Sequence, residues 1–489
     1  MKLKDLFEGI EIISVEGSLD TEISSIAYDS RKTAVDSLFI CISGFVQDGH
    51  KYAADALAKG AAALLVEKDV EVEGATVIKV KNTREMMPLL AARFYGRPTE
   101  HLRLIGLTGT NGKTTTTYFV KSILDEAQKK TGLLGTISTK IGDKEFMSSR
   151  TTPESLDLQK LFCEMVKMEI DYAVMEVSSH SLELGRVDGC KFHIGVFTNL
   201  TQDHMDFHKT VENYRNAKKK LFYKTTCANI INIDDEHGRI IANEISSLET
   251  RLLTYGIDNK ADIMAKDIHI DARGVRFTMV TPDYEIPLEN RIPGKFSVYN
   301  SLAAAAVAYV EGIDGEIIRS GLANAAVVPG RSEVVNIDKP YTVIVDYAHS
   351  PDGLENILNA VREYAKGRII TLFGCGGDRD KEKRPMMGEI AGRLSDYCIV
   401  TSDNPRTEDP GEIIRQAEYG VKMTGCRYIC IENRKEAIKH ALKIAQENDI
   451  ILLAGKGHET YQVLKDRTIP FDEKEIVQEL IREEAQWNA

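Results

Sequence analysis

Leu104-Ile105-Gly106-Leu107-Thr108-Gly109-Thr110-Asn111-Gly112-Lys113-Thr114-Thr115 is the stretch on which the reading of this chain turns. A short apolar run, 102–107, has the length of a buried strand. It passes into a glycine-rich turn, and Lys113 opens a helical pattern over 113–128. Glycines at such a turn let backbone N–H groups curl around phosphate oxygens, and a helix N-terminus adds positive potential. The expected nucleotide contacts are Gly109, Thr110, Asn111, Gly112, Lys113, Thr114 and Thr115. Lys113 would bridge the β- and γ-phosphates of ATP, and the Thr114 hydroxyl would reach Mg²⁺. The spacing is a variant, because Leu107 stands where the usual G-x-x-x-x-G-K-S/T pattern begins with glycine. A glycine turn that merely starts a helix is the plainer reading of the same residues.

On either side of this turn the chain alternates strand and helix. Apolar strand runs fall at 172–177, 193–200 and 228–233, each followed by a helix-compatible stretch. That alternation predicts an α/β fold, a parallel sheet with helices on both faces. The stretch 261–290 differs: it alternates at period two, with turns at Ala272-Arg273-Gly274 and Thr281-Pro282-Asp283, and predicts a small antiparallel appendage. After Val328-Pro329-Gly330-Arg331 the α/β pattern resumes. Strands are expected at 341–347, 368–373, 397–402, 427–432 and 449–454, with helices at 351–365 and 434–446. In open sheets of this kind ligands gather beyond the carboxyl ends of strands. There stand Asp346-Tyr347-Ala348-His349, Gly374-Cys375-Gly376-Gly377-Asp378, Asp403-Asn404-Pro405-Arg406 and Gly455-Lys456-Gly457-His458-Glu459. The first 95 or so residues form a separate α/β unit, ended by Gly96-Arg97-Pro98-Thr99, without a catalytic constellation; binding is its expected role.

The chain has 489 residues, which suggests about three domains. Its 43% hydrophobic and 28% charged residues are those of a globular protein, and a net charge of -12 argues against nucleic acid as the main partner. No apolar run reaches the ~20 residues of a membrane span, and the N-terminus lacks a signal-peptide core, so a cytoplasmic protein without membrane insertion is expected. The eight cysteines (Cys41, Cys163, Cys190, Cys227, Cys375, Cys398, Cys426, Cys430) are scattered and complete no four-ligand zinc pattern. Reduced core cysteines are the expectation.

Gly109-Thr110-Asn111-Gly112-Lys113-Thr114 resembles the nucleotide loop of the Mur ligases and the folylpolyglutamate synthetases. The resemblance continues through Glu176-Val177-Ser178-Ser179-His180, Asn199-Leu200-Thr201-Gln202-Asp203-His204-Met205-Asp206, Tyr214-Arg215-Asn216-Ala217-Lys218, Asn300, Gly330-Arg331 and Asp346-Tyr347-Ala348-His349-Ser350-Pro351. It spans essentially the whole chain and is closest to the Mur ligase family. The family implies an N-terminal UDP-substrate domain (1–98), a central P-loop ATPase domain (99–329) and a Rossmann-like C-terminal domain that binds the incoming amino acid (330–489). It also implies ATP-dependent amide formation through an acyl phosphate, in peptidoglycan precursor synthesis; a monomer is expected.

The family's residues then map as follows. Glu176 and His204 become Mg²⁺ ligands, although imidazole suits that hard ion less well than oxygen. A lone histidine would otherwise be read as an ordinary satisfied side chain. Lys218 becomes an N-carbamate holding a second Mg²⁺, against the plainer reading of Lys218-Lys219-Lys220 as a solvated face. Asn300 becomes an adenine contact, where the residue alone would read as a helix start. Arg331 and Asp346 become nucleotide contacts carried by the C-terminal domain, Arg331 being otherwise a linker charge. Ser30 resembles the uridine-contacting serine, and Thr151, Thr152, Ser178 and Arg186 resemble residues holding the UDP-muramoyl-dipeptide.

The acceptor is expected to be diaminopimelate. Its far end bears one ammonium and one carboxylate, and recognising that head calls for a cationic fork beside an acid. Arg406 supplies the fork and Glu459 the acid; Asp403-Asn404-Pro405-Arg406 resembles the signature of the diaminopimelate-adding members of the family, a resemblance that implies Asp403, Asn404, Gly455 and Arg379 as further contacts. Lysine-adding relatives lack the equivalent of Arg406. Addition of L-lysine, folylpolyglutamate synthesis, a simple ATPase or kinase and a catalytically silent Mur-like scaffold are the competing readings.

Overall fold

The computed structural model describes residues 1–44, 47–148, 150–271 and 273–487. They pack as two compact units. The first comprises Met1–Thr108, Lys129–Gly195 and Ala217–Ala228, and the second Gly109–Gln128, Val196–Asn216 and Asn229–Ala489.

In the first unit the N-terminal segment folds around a five-stranded sheet, in the spatial order Ser14–Glu16, Thr76–Lys79, Ala61–Val66, Ser37–Ile40, Ser25–Ala27. Only the outermost pairing, Ser14–Glu16 with Thr76–Lys79, is antiparallel. The helix Thr83–Phe94 starts where Asn82 accepts from the N–H groups of Arg84 and Glu85, and it buries Met87, Leu90 and Ala91 against Leu38, Ile40 and Leu65. The same unit holds the strand Tyr172–Glu176, fully buried, pairing parallel with both Arg103–Thr108 and Thr131–Leu134. Beyond Thr131–Leu134 the pairing turns antiparallel through Ser138–Ile141 to Lys144–Met147, a hairpin that the strand–helix reading omitted. Lys144–Met147 is exposed along its length and offers no alternating burial to read.

In the second unit the segment expected to alternate at period two forms the antiparallel strands Ile263–Asp271, Gly274–Val280 and Glu285–Asn290. Ala272, in the first predicted turn, lies outside the described residues. The C-terminal sheet has the order Glu333–Val334, Thr342–Asp346, Ile450–Ala454, Ile369–Phe373, Tyr397–Val400, Tyr428–Cys430, parallel except at its first pair. Its central strands Ile369–Phe373 and Ile450–Ala454 are buried throughout, as a parallel sheet covered on both faces requires. Alternate side chains feed two cores. Ile344, Phe373 and Leu452 join helices Pro351–Tyr364, Lys383–Leu394 and Pro410–Thr424, while Val343, Leu372 and Leu453 join Arg434–Ile444 and Glu473–Trp487.

The cysteine expectation is corrected in part. Cys41, Cys190, Cys375 and Cys398 are buried, but Cys163, Cys227 and Cys426 are half-buried and Cys430 is exposed. Cys430 ends an edge strand, where alternation turns a side chain outward. No helix of the described residues is long and apolar enough to cross a membrane.

One buried ion pair ties the strand ends of the C-terminal sheet. Arg434 and Glu473 are both fully buried and meet at 2.8 Å. The Arg434 guanidinium also donates to the Ala454 carbonyl (2.8 Å) and the Ser402 carbonyl (3.4 Å), so it joins the last residue of one parallel strand to the chain just beyond another. Replacing Arg434 by Met strands the Glu473 carboxylate without its partner. Urea unfolding is expected to show a loss of about 3–5 kcal/mol, a cost typical of breaking a buried pair from one side.

Candidate active site

The glycine-rich loop 109–115 is built as its glycines require. Gly112 has φ +84, and a side chain there would meet the Asn300 amide oxygen. The helix Lys113–Glu126 follows, and Gly112 before it supplies no side-chain cap. The loop is held from a neighbouring turn. Asn199 accepts from Asn111 N–H (2.9 Å) and from Thr110 N–H (2.8 Å), and Thr198 Oγ1 donates to the Asn111 carbonyl (2.6 Å). Thr110 Oγ1 accepts from Thr201 N–H (3.0 Å) and lies 3.2 Å from the Tyr214 hydroxyl. Lys113 Nζ donates to the carbonyls of Gly109 (2.9 Å) and Thr110 (2.8 Å).

A cavity of about 350 Å³ in the second unit is lined by Asn111, Gly112, Thr115, Asn300, Arg331 and Asp346, among others. Asn300 is buried within the helix Lys295–Val310, past its first turn, and accepts from Thr116 Oγ1 at 3.3 Å; it does not start a helix. Arg331 is no solvated linker charge: it donates to Thr114 Oγ1 (3.2 Å) and lies over the Tyr347 ring, 4.8 Å from its centroid. Asp346 accepts from the N–H groups of Ser332 (2.7 Å) and Ala348 (2.8 Å). Burial pushes its carboxyl up, while Arg331 and these N–H donors pull the other way. The Asp352 carboxylate accepts from the Asn111 side-chain amide, a contact that sequence reasoning missed. Its signal was Ser350-Pro351-Asp352, since Ser350 caps the helix Pro351–Tyr364 and proline takes the first position, leaving the acid in the first turn.

His204, in the second unit, has φ +56 and a half-exposed ring 3.5 Å from the Asp203 carboxylate. Burial would raise the Asp203 carboxyl, but His204, His349 and Lys383 outweigh it and hold the group below its usual range.

Glu176 and Lys218 belong to the first unit. Glu176, at the end of its strand, is buried; its two oxygens accept from Thr136 N–H (2.8 Å) and Thr136 Oγ1 (3.0 Å). Thr152 Oγ1 donates to the Glu176 carbonyl (2.9 Å) and accepts from Ser178 N–H (3.1 Å), and Thr151 Oγ1 lies 3.1 Å from Thr136 Oγ1. Arg186 pairs with Glu154 at 3.0 Å and donates to the Thr152 carbonyl at 3.3 Å. The structure therefore brings Thr151, Thr152, Glu176, Ser178 and Arg186 into one network, to which it adds Thr136 and Glu154. Lys218 is 1% exposed, whereas Lys219 is half-buried and Lys220 exposed, paired with Glu183. The solvated-face reading fails for Lys218, because the helix Val211–Lys219 turns that position inward with Tyr214 and Ala217. Ser30 is buried apart from this network, and its carbonyl accepts from Lys59. Thr114 and Glu176 offer the hard oxygen atoms that suit Mg²⁺, and the His204 ring a softer donor.

At the carboxyl end of the C-terminal sheet, Asn404 and Glu459 touch: Asn404 Nδ2 donates to Glu459 Oε2 at 2.8 Å. Lys456, wholly buried, donates to the same oxygen (3.0 Å) and to Asn404 Oδ1 (3.1 Å). Gly455 has φ +118, and a side chain there would press on Asp403 Oδ2. Arg406 donates to the Gly377 carbonyl (2.8 Å), and its guanidinium borders Gly376 together with the stem of Arg379, whose own Nη1 donates to the Asp378 carbonyl. Beneath them the buried Arg384 grips Glu408 in a two-pronged pair and holds its carboxyl down to about 2.

A larger cavity, about 770 Å³, opens in the first unit near the starts of the strands Arg103–Thr108 and Tyr172–Glu176. It holds none of the expected residues and lies at the strand ends opposite those where ligands gather.

Residues 22–95 match the Mur ligase family catalytic domain, 107–308 the Mur ligase middle domain and 330–457 the Mur ligase glutamate ligase domain. The UDP-N-acetylmuramoyl-L-alanyl-D-glutamate–2,6-diaminopimelate ligase of Clostridioides difficile (strain 630) is 50% identical over 98% of this chain and 99% of its own. The chain belongs to the Mur ligase family. A solved structure of a ligase bearing that same activity name superposes with a TM-score of 0.71, at 32% identity over 99% of both chains. The MurF ligase from Thermotoga maritima in complex with ADP shares the fold, with a TM-score of 0.65 at 17% identity over 96% of this chain and 99% of that one. This Mur ligase is thus an α/β enzyme of the ATP-dependent acid–amino-acid ligase type.

Gly330, at φ +65, packs so tightly on the 457–458 backbone that a side chain would overlap it. This brings Arg331 beside His458, whose imidazole is held at about 4, first by burial and then by the Arg331 charge. The neutral ring belongs to the folded protein, while the unfolded chain takes up a proton below about 6.5. Stability present above that pH is lost as the pH falls toward 4. Melting temperatures measured over this interval should fall, and less steeply for His458→Gln.

Proposed function

We propose that this Mur ligase joins meso-2,6-diaminopimelate to UDP-N-acetylmuramoyl-L-alanyl-D-glutamate using ATP. The observation that carries the reading is that Asn404 links Arg406 to Glu459, its carbonyl accepting from the Arg406 guanidinium at 3.5 Å and its side-chain amide donating to Glu459 at 2.8 Å, a cation and an acid for the two charges of a distal amino-acid head. The relatives' names support the same substrates. The working division is 1–98 for the UDP-linked substrate, 99–329 for ATP and 330–489 for the amino acid. The matched segments 22–95, 107–308 and 330–457 fall inside those limits.

In this reading the loop 109–115 cradles the ATP phosphates, Lys113 lies against the β- and γ-phosphates, and Asn300 borders the adenine. Arg331 and Asp346 come to the nucleotide from the C-terminal domain, a role that the Arg331–Thr114 and Asn111–Asp352 contacts support. The D-glutamyl carboxylate attacks the γ-phosphorus, breaking its bond to ADP. The diaminopimelate amine then attacks the acyl carbon, phosphate leaves, and the nitrogen sheds a proton. Thr114, Glu176, His204 and Lys218 would hold two Mg²⁺ ions, which offset the charge of the transferring phosphoryl group. Lys218 would do so as a carbamate, formed when its neutral amine adds CO₂ and releases one proton; its burial supports a role other than a surface charge. Ser30, Thr151, Thr152, Ser178 and Arg186 would hold the UDP-muramoyl-dipeptide, and Arg379, Asp403 and Gly455 would complete the amino-acid pocket.

With ATP, Mg²⁺ and the UDP-muramoyl-dipeptide, phosphate release should start on adding meso-diaminopimelate and stay far lower with L-lysine. Equal rates would reject selectivity for diaminopimelate over lysine, and no release with either would reject the reaction. Arg406→Ala should raise KM for diaminopimelate by about 30-fold or more, the effect of losing a partner worth roughly 2–5 kcal/mol, with KM for ATP unchanged.

A further inference from the structure

Lys456 is the one charged side chain of the 455–459 turn that the proposed reaction leaves without a task, and it is wholly buried. Burying an ammonium is unfavourable unless its donors are met, and an ion pair in such a place adds little net stability. The Lys456 donors are spent on two residues of the proposed acceptor pocket, Asn404 Oδ1 at 3.1 Å and Glu459 Oε2 at 3.0 Å, and the Tyr461 ring lies 5.8 Å below the charge.

These bonds have a directional consequence. Asn404 Oδ1 accepts both from Lys456 and from Val463 N–H (2.9 Å). An amide oxygen facing two donors fixes which way the amide points, so Nδ2 must face Glu459, where it donates to Oε2 at 2.8 Å. Glu459 Oε2 thereby takes two donors from the protein, and Oε1 is left as the oxygen presented to a ligand. Without Lys456 the Asn404 amide loses its strongest orienting donor, and the Glu459 carboxylate becomes free to rotate.

We infer that Lys456 is a positioning residue for acceptor choice: it locks the Asn404 amide and turns Glu459 so that one carboxylate oxygen meets the distal ammonium of the incoming amino acid. The inference rests on the diaminopimelate reading and goes beyond it by assigning the orientation to a residue that does not itself touch the ligand.

The test is steady-state ligation by the full-length protein with each substrate varied in turn. Lys456→Met, similar in length but without donors, is expected to raise KM for diaminopimelate by about tenfold or more, the cost of a misplaced charged hydrogen bond. KM for ATP and for the UDP-muramoyl-dipeptide should stay within about twofold, a split that a general loss of structure would not give. Lys456→Gln, which keeps N–H donors without the charge, should fall between wild type and Lys456→Met. If Lys456→Met fails to fold, Lys456→Gln carries the test by the same criterion, a rise confined to the diaminopimelate KM. An unchanged diaminopimelate KM, or an equal change for all three substrates, overturns the inference while a wild type active with diaminopimelate leaves the proposed reaction standing. A wild type inactive with diaminopimelate overturns both.

Discussion

The glycine-rich loop 109–115 depends on two glycines that have no room for a side chain. At Gly109 the space is taken by Thr198 and Asn199, and at Gly112 by Asn300. The loop can therefore close only against those neighbours, and the helix Lys113–Glu126 starts where that closure leaves it. The Asn199 and Thr198 bonds to Thr110 and Asn111 follow from the same close approach. So does the position of Asn111, whose side chain is then met by Asp352. A tight backbone turn is in this way converted into a tertiary junction.

The C-terminal part uses a different device. Its strands are apolar along their full length and specify a sheet covered on both faces, but apolar strands do not say how their polar ends are arranged. Buried cations make that arrangement. Arg434 ties the end of one strand and the chain beyond another to Glu473, Arg384 ties the 376 turn to Glu408, and Lys456 ties Asn404 to Glu459. Each lies in a low-dielectric setting where an unmet donor is costly, so each restricts its neighbours to few geometries.

Much of this was legible in advance. Apolar runs gave the strands Tyr172–Glu176 and Ile450–Ala454 to within a residue or two, and period-two alternation gave the antiparallel appendage in 261–290. The hairpin Ser138–Ile141 with Lys144–Met147 was not legible, because an exposed strand carries no burial pattern. Among site residues, motif reading found Glu176 but not Thr136, which holds both its oxygens from 40 positions away. It found Asn404 and Glu459 but not the lysine between them in space, since Lys456 reads as one more polar residue of a glycine turn.

The sequence by itself determined the glycine-rich turn, the strand–helix alternation and the family, because glycine spacing and hydrophobic period act over a few residues and leave a local signature. Only the tertiary structure decided which of three adjacent lysines is buried, that Asn300 lies inside a helix, that Asp352 meets Asn111, and that Asn404 engages one oxygen of Glu459. Those outcomes depend on side chains far apart in the chain competing for the same donors and the same space. That competition is resolved by packing, and no stretch of sequence contains both competitors.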